Sequence, residues 1–149
     1  MIAIDPGGSG GIAIALPGQA ATAFKMPETS GEILRKLELA LAAGSNTAYM
    51  EDVVYFTGTK IPGSRGIKYG VSWGRLEGMI QALKFRVVLV PPKKWQAILG
   101  LGKAKGIPKT VWKNKLKSEA EKLFPDLKVT LATADALLIL ECAKRGALG

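Results

Sequence analysis

No histidine occurs among the 149 residues of this chain, and only one cysteine, Cys142. The first absence removes the commonest general base, the commonest zinc ligand and every Ser-His or Cys-His nucleophile pair. Enzymatic chemistry, if there is any, rests on carboxylates and lysines. A lone cysteine excludes an internal disulfide framework and fits a reducing cytoplasm. Long hydrophobic runs are lacking too: no apolar stretch approaches the roughly 20 residues of a membrane-spanning helix. No basic leader precedes a hydrophobic stretch at the N-terminus, so the expected location is cytoplasmic. Acids are scarce, 12 Asp and Glu against 21 Lys and Arg, for a net charge of +9.

What is present is the make-up of a soluble globular protein, 48% apolar and 22% charged. A single domain over residues 1–149 is long enough to bury a core without staples. Neither an internal repeat nor a linker divides it. The positive excess is concentrated between Lys84 and Lys122, where eleven basic residues face two acids, Glu119 and Glu121. Trp95 and Trp112 are interleaved with them. That is the electrostatic footprint of a nucleic-acid binder, with a merely solvated lysine surface as the plainer alternative. A membrane surface fits less well, because the tract has no continuous face of large apolar residues.

Three acids stand out against their surroundings. Asp5 is the only charge in the opening Met1-Ile2-Ala3-Ile4-Asp5-Pro6-Gly7-Gly8-Ser9-Gly10-Gly11-Ile12-Ala13-Ile14-Ala15, which reads as strand, Gly-rich turn and strand. Ordinary Asp-Pro-Gly turn chemistry is the plainer account of it. Thr47 to Val54 reads as a buried strand carrying Glu51 and Asp52, and charges are rarely placed there without a partner or a metal. Period-two alternation sends those two to opposite faces, so only one of them can join Asp5. Asp135 falls in the first turns of a helix expected from Thr130 to Arg145, where the helix dipole favours an acid. Its neighbours are small or apolar, which turns it toward another element.

Between these acids the chain predicts a third strand at Ala20–Met26. A helix over Gly31–Ala43 follows, capped by Thr29 or Ser30 and ended by Gly44. Tyr55 to Lys68 reads as a turn-rich polar loop. Gly66, Gly70, Gly74 and Gly78 then recur every fourth position in a helix, and each interior Gly costs about 1 kcal/mol against Ala. Such a row predicts close approach by another backbone, either the chain's own sheet or a second copy. A strand at Phe85–Val90, a short helix from Lys93 to Gly100, a Lys/Gly-rich loop over Gly102–Lys109 and an amphipathic helix to Phe124 complete the order.

This order is the plan of a ribonuclease H-like α/β domain, a mixed five-stranded sheet flanked by helices. Ile4-Asp5-Pro6-Gly7, Met50-Glu51 at a strand end and Ala134-Asp135-Ala136-Leu137-Leu138-Ile139 resemble the RuvC-type Holliday junction resolvases. Tyr69-Gly70-Val71-Ser72-Trp73-Gly74-Arg75-Leu76-Glu77-Gly78, Val90-Pro91-Pro92-Lys93-Lys94-Trp95 and Leu123-Phe124-Pro125 are similar to the phage branch of that family. The resemblance implies a homodimer that cuts four-way DNA junctions symmetrically. It also implies two Mg²⁺ ions, with Mn²⁺ as an alternative, held by Asp5, Glu51 and Asp135 as catalytic and metal-binding residues. Many of these enzymes carry a further Asp or His where this chain has Ala132, and Asp52 and Asp126 are the substitutes at hand.

Phosphodiester hydrolysis by two metals about 3.5–4 Å apart needs no histidine base. Mg²⁺ favours carboxylate oxygens, which suits three acids from separate elements. For the nucleic-acid surface the candidates are Arg65, Lys68, Lys93, Lys94, Lys103, Lys105, Lys109 and Lys113. Lys103, Lys105 or Lys109 is expected to steady charge at the transition state. Two other activities share the fold: a catalytically silent nucleic-acid-binding protein, and a nuclease acting on RNA–DNA hybrids.

Overall fold

The structure is a computed structural model that describes residues 1–52 and 63–149, apart from the Arg65 side chain. Residues 53–54 of the expected strand and 55–62 of the expected loop therefore lie outside the described residues. The first strand, β1 (Ile2–Asp5), pairs antiparallel with β2 (Gly11–Ile14), and β2 pairs antiparallel with β3 (Thr22–Lys25). On its other side β1 pairs in parallel with β4 (Thr47–Glu51), which pairs in parallel with β5 (Arg86–Val90). The sheet order is β3-β2-β1-β4-β5, with β1 at the centre. This is the expected mixed five-stranded sheet.

Strand periodicity divides the core in two. Ile2, Ile4 and Ile12 point to one face, where they meet Ile33 and Leu37 of α1 (Ser30–Ala42) and Leu76 and Ile80 of α2 (Gly63–Ala82). Ala3 and Ala13 point to the other face, beneath α5 (Ala134–Lys144). They are register partners, and their small side chains let a helix lie close on the sheet. That explains why α5 is apolar almost all round and buried along its length. Beside it lie α3 (Pro92–Ile98), whose Trp95 is fully buried, and α4 (Lys109–Leu123).

Caps account for several boundaries. Thr29 is the N-cap of α1: its hydroxyl accepts from the Glu32 backbone N–H while the Glu32 carboxylate accepts from the Thr29 N–H. Pro92 opens α3, a position where the missing N–H costs no helical hydrogen bond. The last helix begins at Ala134 rather than Thr130, because Thr130 and Thr133 hydrogen-bond to each other's backbone and form a turn first. The second helix begins at Gly63, so residues 63–68 are helical and not part of a loop. Local propensity underrates this start; Leu76 and Ile80, packed on the sheet, anchor a helix whose first turns are poor formers.

The glycine row does not pack on the chain's own sheet. A Cβ built at Gly70, Gly74 or Gly78 meets nothing within 4 Å among the described residues. The same helix side exposes Ile67 and Val71. Two other glycines are indispensable: a Cβ at Gly10 would stand 2.1 Å from the Asp5 carbonyl oxygen, and one at Gly11 would stand 2.5 Å from that of Ala132.

Candidate metal centre and nucleic-acid cleft

Period two also decides the site. Asp5 follows Ala3 on the α5 face of β1, and Glu51 follows Tyr49 on the same face of β4. Both strands run in parallel and end there, so the two carboxyls come close together at one end of the sheet. The first turn of α5 crosses this end and adds Asp135, which is buried. Asp52 is buried too, with its N–H donating to the Val90 carbonyl oxygen at 2.9 Å.

Burial is the main reason the Asp5 carboxyl is held well above the usual carboxylate range; the negative charges of Glu51 and Asp135 push it the same way. Glu51 is pushed up to about 7, again first by burial and then by Asp135. A site that raises the proton affinity of two of its carboxyls is short of positive charge. Lys113, from the first turns of α4, supplies part of it by pairing with Asp135 Oδ2. Burial alone would lower the Lys113 ammonium, yet Asp135, Asp5 and Glu51 together keep its affinity for the proton above the ordinary value.

Two residues that sequence reading did not assign to the site belong to it. Trp95 Nε1 donates to Glu51 Oε1 at 3.1 Å, and the indole is fully buried, so the carboxylate is steered by a fixed donor. Tyr69 of α2 lays its ring against Gly7, where a built Cβ would be 3.4 Å from Cε2. Its hydroxyl is held well above the usual phenol range by burial and by Glu51, Asp5 and Asp52. The only sequence signal for either was an aromatic beside a candidate motif.

Among the described residues no three acids stand as a ready-made cage for an ion. The donor set nevertheless fits a hard divalent cation: three carboxylates from three elements, partly desolvated and mutually repelling, with Asp135 Oδ1 buried and lacking a partner among the described residues. As for a fourth ligand, the Ala132 carbonyl lies against Gly11, the register partner of Asp5, and the Ala132 side chain is a methyl group that offers no donor atom. Asp126 is exposed and lies in the turn after α4, hydrogen-bonded back to Phe124 through Leu127. The Phe124 ring faces Lys144, nine residues along α5 from Asp135 or roughly 13 Å. Asp126 is therefore not part of the cluster.

A cleft of about 1280 Å³ opens in front of the acids, lined by Glu51, Tyr69 and Asp135 on its floor. Lys93, Lys103, Lys105, Lys109 and Lys113 line its walls. Lys94 turns its ammonium instead toward the Leu148 carbonyl oxygen, 3.5 Å away. Lys68 is exposed on α2 and is not among the residues lining the cleft. The Arg65 side chain lies outside the described residues.

Sheet and helices together form a ribonuclease H-like α/β fold, with a carboxylate cluster at one end of the sheet beside a basic cleft. The fold is similar to that of Thermus thermophilus RuvC in complex with a Holliday junction substrate, at 17% identity and a TM-score of 0.61, over 99% of this chain and 98% of that one. A second structure of Thermus thermophilus RuvC gives 18% identity and a TM-score of 0.58 over the same shares. No family model and no curated protein matches the chain. No helix among the described residues is long and apolar enough to cross a membrane.

Proposed function

We propose that this protein is a RuvC-type Holliday junction resolvase of the phage branch. It is a single-domain, cytoplasmic endonuclease that acts as a homodimer and nicks opposite strands of a four-way DNA junction with divalent metal, Mg²⁺ or Mn²⁺. What carries the reading is the convergence of Asp5, Glu51 and Asp135 at one end of the sheet, with Glu51 and Asp135 lining a lysine-walled cleft. The likeness of fold to a junction-bound RuvC supports the choice of substrate.

Asp5, Glu51 and Asp135 would hold the ions. A bound divalent ion supplies an activated water and neutralises charge on the leaving oxygen. The chain's own residues do the rest. Trp95 keeps Glu51 in one orientation. The cleft lysines seat the phosphate backbone without reading bases. A catalytically silent binder is the second reading, and Ala132, standing where a further acid is expected, favours it.

One assay separates the alternatives. The protein is incubated with Mg²⁺ and end-labelled junction, linear duplex or RNA–DNA hybrid. Paired nicks in the junction, with linear duplex left intact, are expected. Binding without cutting would favour the silent protein, and preferential cutting of the hybrid would favour the RNA-directed enzyme.

A further inference from the structure

Lys113 takes part in the acid cluster before any ion or DNA arrives. Its ammonium pairs with Asp135 Oδ2, while Oδ1 of the same carboxylate is buried without a partner among the described residues. The lysine side chain is 34% exposed and the Asp135 side chain 5%. One end of the pair is thus fixed in the protein and the other opens on the cleft that both residues line. Two lysines next along α4 are engaged elsewhere. Lys115 donates to the Leu101 carbonyl oxygen at 2.6 Å, and Lys117 pairs with Glu121 at 3.1 Å.

We infer that Lys113 is a displaceable counter-ion: it neutralises Asp135 in the metal-free protein and leaves that carboxylate when a divalent cation binds. The inference rests on the reading of Asp5, Glu51 and Asp135 as an ion site. Buried carboxylates without a cation repel one another, and a lysine on a flexible four-carbon stem relieves this at little structural cost. A cation that binds all three acids competes with that ammonium for Asp135. The released charge then stays in the cleft, where phosphate oxygens are to be seated. Metal and phosphate binding become mutually favourable, because each benefits from the same move and linkage is reciprocal.

The test needs no DNA. Mg²⁺ is titrated into the full chain and into Lys113→Met and Lys113→Arg, with binding followed by calorimetry and thermal midpoint. Lys113→Met should bind Mg²⁺ tighter by about five-fold or more, a change on the scale of one partly exposed ion pair. It should also melt earlier without metal and gain more from it, while Lys113→Arg stays near the parent. If the parent binds Mg²⁺ and folded Lys113→Met binds it no tighter, the counter-ion role is wrong. If Asp5→Asn and Asp135→Asn bind Mg²⁺ as well as the parent, the ion site itself is misplaced. Should Lys113→Met fail to fold, the parent labelled with ¹³C-lysine supplies the measurement. Its Lys113 Cε resonance, assigned by difference with Lys113→Arg, must shift as Mg²⁺ saturates the protein, and a resonance that does not move overturns the inference.

Discussion

Asp5, Glu51 and Asp135 bring three carboxylates together, Glu51 and Asp135 buried and Asp5 half-buried, and the outcome differs for each. Asp5 and Glu51 lie close together and are both displaced toward the protonated form. Removing either charge relieves repulsion in the metal-free protein. Asp5→Asn and Glu51→Gln should therefore abolish junction cleavage, keep junction binding and leave metal-free stability no lower than the parent's. Asp135→Asn should abolish cleavage as well, yet cost stability, because it strips Lys113 of its partner. Cleavage assays, gel shifts and thermal melts on the three variants check this. A variant that cuts at the parental rate would remove its residue from the site.

A pH dependence follows at the same scale. The Glu51 carboxyl takes up a proton more readily in the folded state, at about 7, than in an unfolded chain near 4.5. Between those values the folded state binds more protons, so stability falls as pH rises. The metal-free protein should be most stable below about pH 4.5 as far as this group is concerned, and lose that contribution as pH climbs through 7. Glu51→Gln should flatten the slope in that window, and denaturant melts at pH 5, 6 and 7 measure it. An equal slope in both proteins would show that Glu51 ionises freely.

At the scale of elements, α2 presents its glycines outward, with exposed Ile67 and Val71 between them. A helix gains nothing from such glycines unless something comes close. A second copy of the chain, meeting this face across a two-fold axis, would also fix the spacing of two active sites. Because a Cβ at Gly74 meets no atom of the described residues within 4 Å, Gly74→Leu should fold normally, and replacing Gly by a good helix former favours the helix by about 1 kcal/mol. Overpacking of the chain's own core, the alternative that the glycine spacing leaves open, is not expected. The variant should sediment as a monomer and nick junctions on one strand at a time. A folded Gly74→Leu that remains dimeric would remove α2 from the interface.

Across the whole molecule, a net charge of +9 sets long-range attraction to polyanions, and the cleft lysines focus it beside the acids. Affinity for DNA should fall linearly in log affinity against log salt, largely whatever the base sequence. Neutralising Lys103, Lys105 and Lys109 together should flatten that line by about 0.9 for every phosphate that the protein no longer neutralises. Lys94 and Lys68 do not line the cleft and should change the slope less. Fluorescence titration of labelled junction from low to moderate salt decides this, and an unchanged slope in the triple variant would mean solvated surface only.

The amino-acid sequence by itself determined the strands, most helix boundaries and the three acids. Each announces itself within a few residues: period-two runs of Ile and Ala, a Thr-x-x-Glu cap, and carboxylates set among apolar neighbours. The same period implied that only one of Glu51 and Asp52 could join Asp5. It left open what completes the cluster, because those partners are far away in the chain. Trp95 meets Glu51 across 44 positions and Lys113 meets Asp135 across 22, and no local pattern distinguishes these side chains from neighbouring Trp and Lys. The tertiary structure decided that Lys113, and among the described residues not Lys103, Lys105 or Lys109, contacts an acid. It also turned the glycine row outward and began α2 at Gly63 where local composition reads as loop. In each case the reason is the same: propensity and period act over one or two turns, whereas the direction a helix faces and the charge that meets a carboxylate are set by packing across the sheet.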